Sequence, residues 1–180
     1  MTEELDVLRI VTERLEAAGI PYMLTGSMAA NYYAVPRMTR DIDLVVELSI
    51  EDADRVADLF EVDFYVDRDA VREAIARRGT FNLIHTGLVL KVDCVVRKDS
   101  EYRREEFRRR RRVAIGEMQV FLVAPEDLII SKLDWARDTR SEMQLADVRN
   151  LLAGPVLDRD YLRTWLSRLG LDALYREVSE

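Results

Sequence analysis

The chain has 180 residues, of which 48% are hydrophobic and 34% charged, a balance typical of one soluble domain that folds unaided. Its formal net charge of −7 argues against a protein that coats nucleic acid nonspecifically. A single cysteine excludes an internal disulfide, and neither an apolar run of ~18 residues nor a secretory signal is found, so we expect a cytoplasmic protein with no membrane contact.

Helical and strand patterns alternate along residues 1–123. Apolar residues at helical spacing predict helices over residues 3–18, 28–33, 51–60 and 69–78. Alternating or continuous apolar runs predict strands over residues 21–24, 41–46, 81–85, 88–96 and 118–123. From Pro125 onward every pattern is helical, with helices expected over residues 125–136, 141–152, 158–169 and 171–178. We therefore predict an α/β (α+β) core over residues 1–123, with a helical C-terminal extension packed on it over residues 124–180.

Three aspartates interrupt two of the predicted strands. Side chains alternate along a strand, so Asp41 and Asp43 share one face of the strand over residues 41–46. Asp93 breaks the apolar run of residues 90–96, where an uncompensated charge is unfavourable. A divalent cation shared by the three carboxylates would compensate them if the two strands are neighbours. The alternative is that Asp93 caps a strand end or pairs with an arginine.

A short turn, Thr25-Gly26-Ser27, joins a predicted strand to a predicted helix. Glycine lets the backbone approach a ligand closely, and the first amides of the next helix can bind an anion. The hydroxyls of Thr25 and Ser27 can add donors to a phosphate, although Ser27 can also be a simple helix N-cap. Arg37 and Arg40, further along, can neutralise phosphate oxygens or form surface ion pairs.

The order of these motifs, Gly-Ser followed after thirteen residues by Asp-x-Asp, resembles the signature of the DNA polymerase β-like nucleotidyltransferase superfamily. The resemblance implies a mixed sheet flanked by helices, a Gly-Ser loop that holds a nucleoside triphosphate, and three acids that hold magnesium. The residues that match the nucleotide-binding loop are Gly26 and Ser27. The residues that match the metal-binding acids are Asp41, Asp43 and Asp93, which would hold two magnesium ions, with manganese as the alternative metal.

The likeness continues on both sides of the acids. The polar segment Arg37–Arg40, which includes Thr39, looks like the lead-in of minimal bacterial members and is assigned to the nucleotide. Residues 123–128, with Lys132 and Asp147, look like the C-terminal part of the abortive-infection type toxin nucleotidyltransferases and their uncharacterised relatives. That group implies a catalytic Lys132, a nucleotide-binding Asp147 and an antitoxin partner. A structural ion pair is the alternative for either residue.

The sequence therefore predicts a metal-dependent enzyme that moves an NMP group from an NTP to the hydroxyl of an RNA 3′ end, a protein or a small molecule. The alternative is a catalytically silent copy of the fold that acts as a protein-binding partner. A dense basic block can contact RNA phosphates. For residues 108–112 the alternative is a solvated face paired with Glu105 and Glu106. This block comprises Arg103, Arg104, Arg108, Arg109, Arg110, Arg111 and Arg112.

Overall fold

The computed structural model describes residues 2–179, in which a seven-stranded mixed sheet is flanked by nine α-helices. The strands are β1 (Tyr22–Thr25), β2 (Ile42–Val46), β3 (Phe64–Val66), β4 (Thr80–His85), β5 (Leu90–Val96), β6 (Arg111–Ile115) and β7 (Met118–Leu122). The helices are α1 (Glu3–Ala17), α2 (Gly26–Tyr33), α3 (Ala53–Phe60), α4 (Arg68–Arg77), α5 (Glu101–Arg108), α6 (Pro125–Thr139), α7 (Glu142–Ala153), α8 (Arg159–Arg168) and α9 (Asp172–Ser179).

The strand order is β3-β4-β5-β2-β1-β7-β6. Strand β2 pairs in parallel with β5 and antiparallel with β1, so the strand that begins just after Asp41 lies between two others. The predicted strands over residues 41–46 and 88–96 are therefore neighbours, which was the condition for the three aspartates to act together. Of the two sheet edges, one is formed by β3 and the other by β6.

The two faces of the sheet differ in burial. Ile42, Leu44 and Val46 of β2 point to a face that is almost fully buried, and helices α3 and α4 contact strands β3 to β5. On the opposite face, residues of β4 and β5 are half-buried or exposed. Met23 of β1 lies on that second face by register and is nevertheless fully buried, since α2 contacts both β1 and β2 there. One end of this face is therefore covered and the other is open.

The chain after β7 is helical, as predicted. Pro125 occupies the first turn of α6, where its missing amide hydrogen leaves no helical bond unmade. Helix α6 contacts α2, α7 and α8, and its apolar side chains belong to the same hydrophobic core as those of the sheet. In residues 2–179 no helix is long and apolar enough to cross a membrane.

The structure contains three elements that the sequence patterns did not predict, β3, α5 and β6. Strand β3 has only three residues, which is too short for a clear alternation. Helix α5 and strand β6 lie within the basic block. The many charges of this block obscured the helical pattern of the buried Tyr102 and Phe107. The helix predicted over residues 51–60 starts as a 3-10 turn, Ile50–Asp52, and continues as α3.

Candidate active site

The turn between β1 and α2 brings the backbone against a carboxylate. Gly26 has φ of +66°, a conformation that side chains other than glycine rarely adopt. A Cβ atom placed on Gly26 would overlap the carboxylate of Asp43, so only glycine allows this close approach. The helix N-cap is Thr25 rather than Ser27, so the N-cap interpretation of Ser27 is wrong. The Ser27 hydroxyl instead accepts a hydrogen bond of 2.5 Å from Arg37 Nη2.

Two carboxylates lie side by side on adjacent strands. Asp43 of β2 is in register with Asp93 of β5 on one side and with Thr25 of β1 on the other. Neighbouring strands are ~4.8 Å apart, so the two aspartates share one small area of the sheet. Asp41 lies in the connection just before β2 and is exposed, and its amide donates to Thr39 Oγ1 over 3.3 Å.

The electrostatics of Asp43 reflect this crowding. Burial, together with the charges of Asp93 and Asp41, raises the pKa of Asp43 to about 6. The cations Lys132 and Lys91 act in the opposite direction without cancelling the shift. Asp93 is paired with a lysine rather than an arginine, through a contact of 2.8 Å between Lys91 Nζ and Asp93 Oδ2. The three aspartates thus form a repelling group that a cation would relieve.

The donor chemistry of this group fits magnesium, which prefers carboxylate oxygens. In residues 2–179 no three His, Cys, Asp or Glu side chains already converge as a metal site, and Lys91 holds one oxygen of Asp93. Asp43 and Asp93 are nevertheless placed opposite one another, and the charge of Asp41 is close enough to raise the pKa of Asp43. Asp41, which is exposed, is the third carboxylate of the predicted set.

A polar network joins the connection before β2 to helices α6 and α7. Arg37 donates from Nε to Asp147 Oδ1 over 2.9 Å and from Nη2 to Asp147 Oδ2 over 3.0 Å. Lys132 Nζ donates to the same Asp147 Oδ2 over 2.8 Å and to Gln144 Oε1 over 2.9 Å. The side chains of Lys132 and Asp147 are only 4% and 5% exposed. Through Arg37 the network also reaches Ser27, so residues far apart in the sequence meet beside Asp43.

Ionisation within this network follows from burial and pairing. Burial lowers the pKa of Lys132, and its hydrogen bond to Asp147 offsets part of that effect. Burial acts to raise the pKa of Asp147, but hydrogen bonds from Arg37 and Lys132 outweigh it and hold that pKa below its ordinary value. Lys132 and Asp147 therefore form an ion pair, and Lys132 also acts electrostatically on Asp43. Arg40 is exposed and forms no ion pair with residues 2–179.

The basic block is mostly engaged in internal contacts. The expected pairing of residues 108–112 with Glu105 and Glu106 is confirmed for Arg108, which pairs with Glu105. Glu106 pairs instead with Arg103. The interpretation of the block as a single solvated face is wrong, however, because Arg109 is largely buried. Arg109 bonds the carboxylates of α6 and stacks on an aromatic ring of α8, 3.6 Å from its centroid. Within the block the exposed members are Arg104, Arg108, Arg111 and Arg112.

Three side chains beside the carboxylates were missed as candidates. Lys91 shares a face with Asp93, a pattern visible in the sequence, but its pairing was not assigned. Gln144 bonds Lys132 from the next helix, which no local pattern indicates. Asn82 is exposed and lies directly opposite Asp93 in the β4–β5 pair. Its only sequence signal was a polar amide in the middle of an apolar strand.

Comparison with known proteins rests on structure alone, because neither a family model nor a curated protein sequence matches the chain. The antibiotic-resistance factor ANT(2″)-Ia in its solution structure superposes with a TM-score of 0.63 at 14% identity, over 97% of this chain and 91% of the other. A proposed nucleotidyltransferase from Thermotoga maritima gives a TM-score of 0.56 at 20% identity, over 92% and 94% of the two chains.

A lincosamide antibiotic adenylyltransferase, LnuA, bound to lincomycin, gives a TM-score of 0.55 at 12% identity, over 84% of this chain and 96% of the other. At such low identity these likenesses establish a shared fold. The protein shares the fold of ANT(2″)-Ia, of the Thermotoga maritima protein and of LnuA.

Proposed function

We propose that the protein is a metal-dependent nucleotidyltransferase that moves an NMP group from an NTP to an acceptor hydroxyl. The observation that carries this proposal is the position of Asp43, which lies in register with Asp93 and directly against the Gly26 turn. Two carboxylates side by side repel each other, and a structural role for them would be unfavourable without a cation. The shared fold supports the same conclusion.

The residues for the triphosphate lie on the covered side of the carboxylates. Lys132 places a positive charge beside Asp43, and Arg37 places another on Ser27, next to the Gly26 turn. Phosphate oxygens are the ligands that such groups favour. Thr25 and Ser27 flank the glycine at the start of α2, where free amides and hydroxyls add donors. In this proposal Thr39, Arg40 and Asp147 help to position the triphosphate. Asp147 does so by holding Arg37 and Lys132.

Magnesium, or manganese, held by Asp41, Asp43 and Asp93 would supply charge neutralisation at the phosphates and at the attacking and leaving oxygens. The acceptor oxygen forms a bond to the α-phosphorus while the bond from that phosphorus to the bridging oxygen breaks, and pyrophosphate leaves. Asp93 is the carboxylate proposed to accept the proton of the acceptor hydroxyl, once its oxygen no longer faces Lys91.

The test uses Asp43→Asn, which keeps the shape of the side chain and removes its charge. With each labelled NTP and a cell extract, transfer of label is expected to fall by at least about 100-fold, because the carboxylate is lost where phosphate charge develops. Asp138→Asn, an exposed aspartate on α6, is the matched control and should keep the wild-type rate. Equal rates for Asp43→Asn and wild type would overturn the proposal.

A catalytically silent module is the second candidate, and the Lys91–Asp93 ion pair is the observation that favours it. A lysine that permanently neutralises Asp93 would leave the cluster without a metal. Calorimetry separates the two candidates, since an active enzyme binds NTP with magnesium and a silent copy does not. Binding that is lost in Asp43→Asn would favour the enzyme.

The resemblance to abortive-infection type toxins extends the proposal to a toxin–antitoxin component with an antitoxin protein as partner. An RNA 3′ end, a protein and a small molecule are all acceptors that this chemistry allows. Expression of the wild-type chain alone in a bacterial host should then slow growth, and Asp43→Asn should not. Equal growth of the two strains would remove the toxin role while leaving the transferase activity to its own assay.

A further inference from the structure

The open end of the sheet face that carries Asp43 and Asp93 extends across strands β5, β4 and β3. In the register of β4 and β5, Asn82 lies opposite Asp93 and Ile84 opposite Lys91. In the register of β3 and β4, Tyr65 lies opposite Ile84. These residues therefore continue outward from the carboxylates, one strand at a time, across strands ~4.8 Å apart.

The geometry of the displacement at the α-phosphorus indicates that the acceptor binds at this end of the face. Phosphoryl transfer is an in-line displacement, so the attacking oxygen and the leaving pyrophosphate lie on opposite sides of the α-phosphorus. The cationic groups for the triphosphate, Arg37 and Lys132, lie on the side covered by α2, α6 and α7. The acceptor must then approach from the side of β5, β4 and β3.

Asn82 has the properties of a binding residue. Asparagine is depleted in strands, and β4 lies between β3 and β5 rather than at an edge. Its side chain is exposed and forms no hydrogen bond within the described part of the chain. An amide that can both donate and accept, directly opposite Asp93, suits a hydroxyl that must be oriented for attack.

Tyr65 supplies an apolar surface at the outer end of the same row. It lies on edge strand β3 with 62% of its surface exposed, while Phe64 before it is buried in the core. An exposed tyrosine presents a flat ring with a polar tip, which suits stacking against a ring of a bound molecule. The half-buried Ile84 between Tyr65 and Lys91 continues this surface toward the carboxylates.

The charges of this surface restrict the chemical class of the acceptor. The row beyond the carboxylates, formed by Asn82, Ile84 and Tyr65, carries no charge, so it offers no further carboxylate to a polycation. A polynucleotide would need a series of cations along its path. The arginines Arg111 and Arg112 lie on β6, the opposite edge of the sheet from β3, and Arg109 is used internally. The surface is neutral and partly aromatic.

We propose that Asn82 and Tyr65 bind the acceptor, and that the acceptor is a small, uncharged, ring-bearing alcohol. This inference rests on the proposed nucleotidyltransferase function. The acceptor hydroxyl loses its proton to Asp93 and its oxygen bonds to the α-phosphorus, as pyrophosphate departs from the NTP. Asn82 orients the hydroxyl, and the Tyr65 ring packs against the ring of the acceptor.

The first experiment identifies the class of acceptor. Cell extract is separated into protein, RNA and a small-molecule filtrate, and the filtrate is passed through cation- and anion-exchange resins. Each fraction is incubated with the full-length protein, magnesium and NTP labelled at the α-phosphate. Label is expected in the small molecules that pass both resins. Label in RNA, in protein or in a retained, charged fraction would overturn the inference.

The second experiment tests the residues. Asn82→Ala and Tyr65→Ser are each expected to raise the half-saturating amount of the neutral fraction about tenfold, the effect of losing one good contact. Their affinity for NTP with magnesium, measured by calorimetry, should stay at the wild-type value. Gln119→Ala, an exposed strand amide, and Val62→Ser, an exposed apolar residue before β3, are the matched controls.

The outcomes separate the two levels of the proposal. If Asn82→Ala and Tyr65→Ser both behave like their controls, the acceptor surface is wrong while the transferase assignment stands. If the wild-type chain does not bind NTP with magnesium, the proposed function itself fails, and the acceptor surface fails with it. Unchanged NTP affinity together with the raised requirement for the neutral fraction supports both.

Discussion

Asp147 is expected to be the residue of the polar network whose change destabilises the protein most. Its carboxylate accepts three hydrogen bonds from two cations, two from Arg37 and one from Lys132. Asp147→Asn keeps the size of the side chain and removes its charge. Lys132, only 4% exposed, would then lose its hydrogen-bonded counter-charge and keep neutral acceptors such as Gln144, with Asp43 as the carboxylate that still acts on it electrostatically. A buried cation that loses its paired carboxylate is highly unfavourable.

The magnitude follows from the burial of the pair. Removing one partner of a buried ion pair lowers the free energy of unfolding by about 3–5 kcal/mol, and Asp147→Asn is expected in that range. Lys132→Met should lower it by less, about 1–2 kcal/mol, because Asp147 keeps both bonds from the partly exposed Arg37. The double variant should be more stable than Asp147→Asn alone, since no buried cation is left unpaired.

Urea denaturation of the four proteins at pH 7, followed by circular dichroism, measures these differences. The reasoning depends on the order of the variants more than on any single value. A decrease of less than about 1 kcal/mol for Asp147→Asn would show that the network does not hold a buried charge. Simple additivity in the double variant would show that Lys132 and Asp147 do not interact.

Three further predictions concern the turns and the metal. Gly26→Ala should abolish transfer and lower the free energy of unfolding by about 1–3 kcal/mol, because an alanine there has a strained positive φ and its Cβ overlaps Asp43. Gly116 also has a positive φ but has open space around it, so Gly116→Ala should leave activity intact. Val89 is exposed with φ of +52°, so Val89→Gly should raise the free energy of unfolding by about 1 kcal/mol in the same denaturation assay. Magnesium should raise the thermal midpoint of the wild type but not of Asp43→Asn, and an equal rise in both would place the cation elsewhere.

Much of the fold could be predicted because its patterns are local. The alternation of residues 41–46 placed Ile42 and Leu44 in the core and Asp43 on the other face, and burial confirms this. The helices after Pro125 were also correctly predicted from apolar spacing. The structure of the basic block was not predicted, because the side chains of Arg103 and Arg109 turn inward. Their burial depends on carboxylates of α6, which are distant in the sequence.

The candidate site likewise has features that short sequence segments predict and features that depend on the tertiary structure. The glycine turn and the spacing of Asp41 and Asp43 are properties of short segments, so the sequence by itself determined them, together with the apolar strand around Asp93. Only the tertiary structure decided that Asp93 lies beside Asp43, with Asn82 beyond it. Strand order and register depend on long-range pairing and on the burial of whole faces, which no single segment encodes. The contact between Arg37 and Asp147, 110 residues apart, has the same origin.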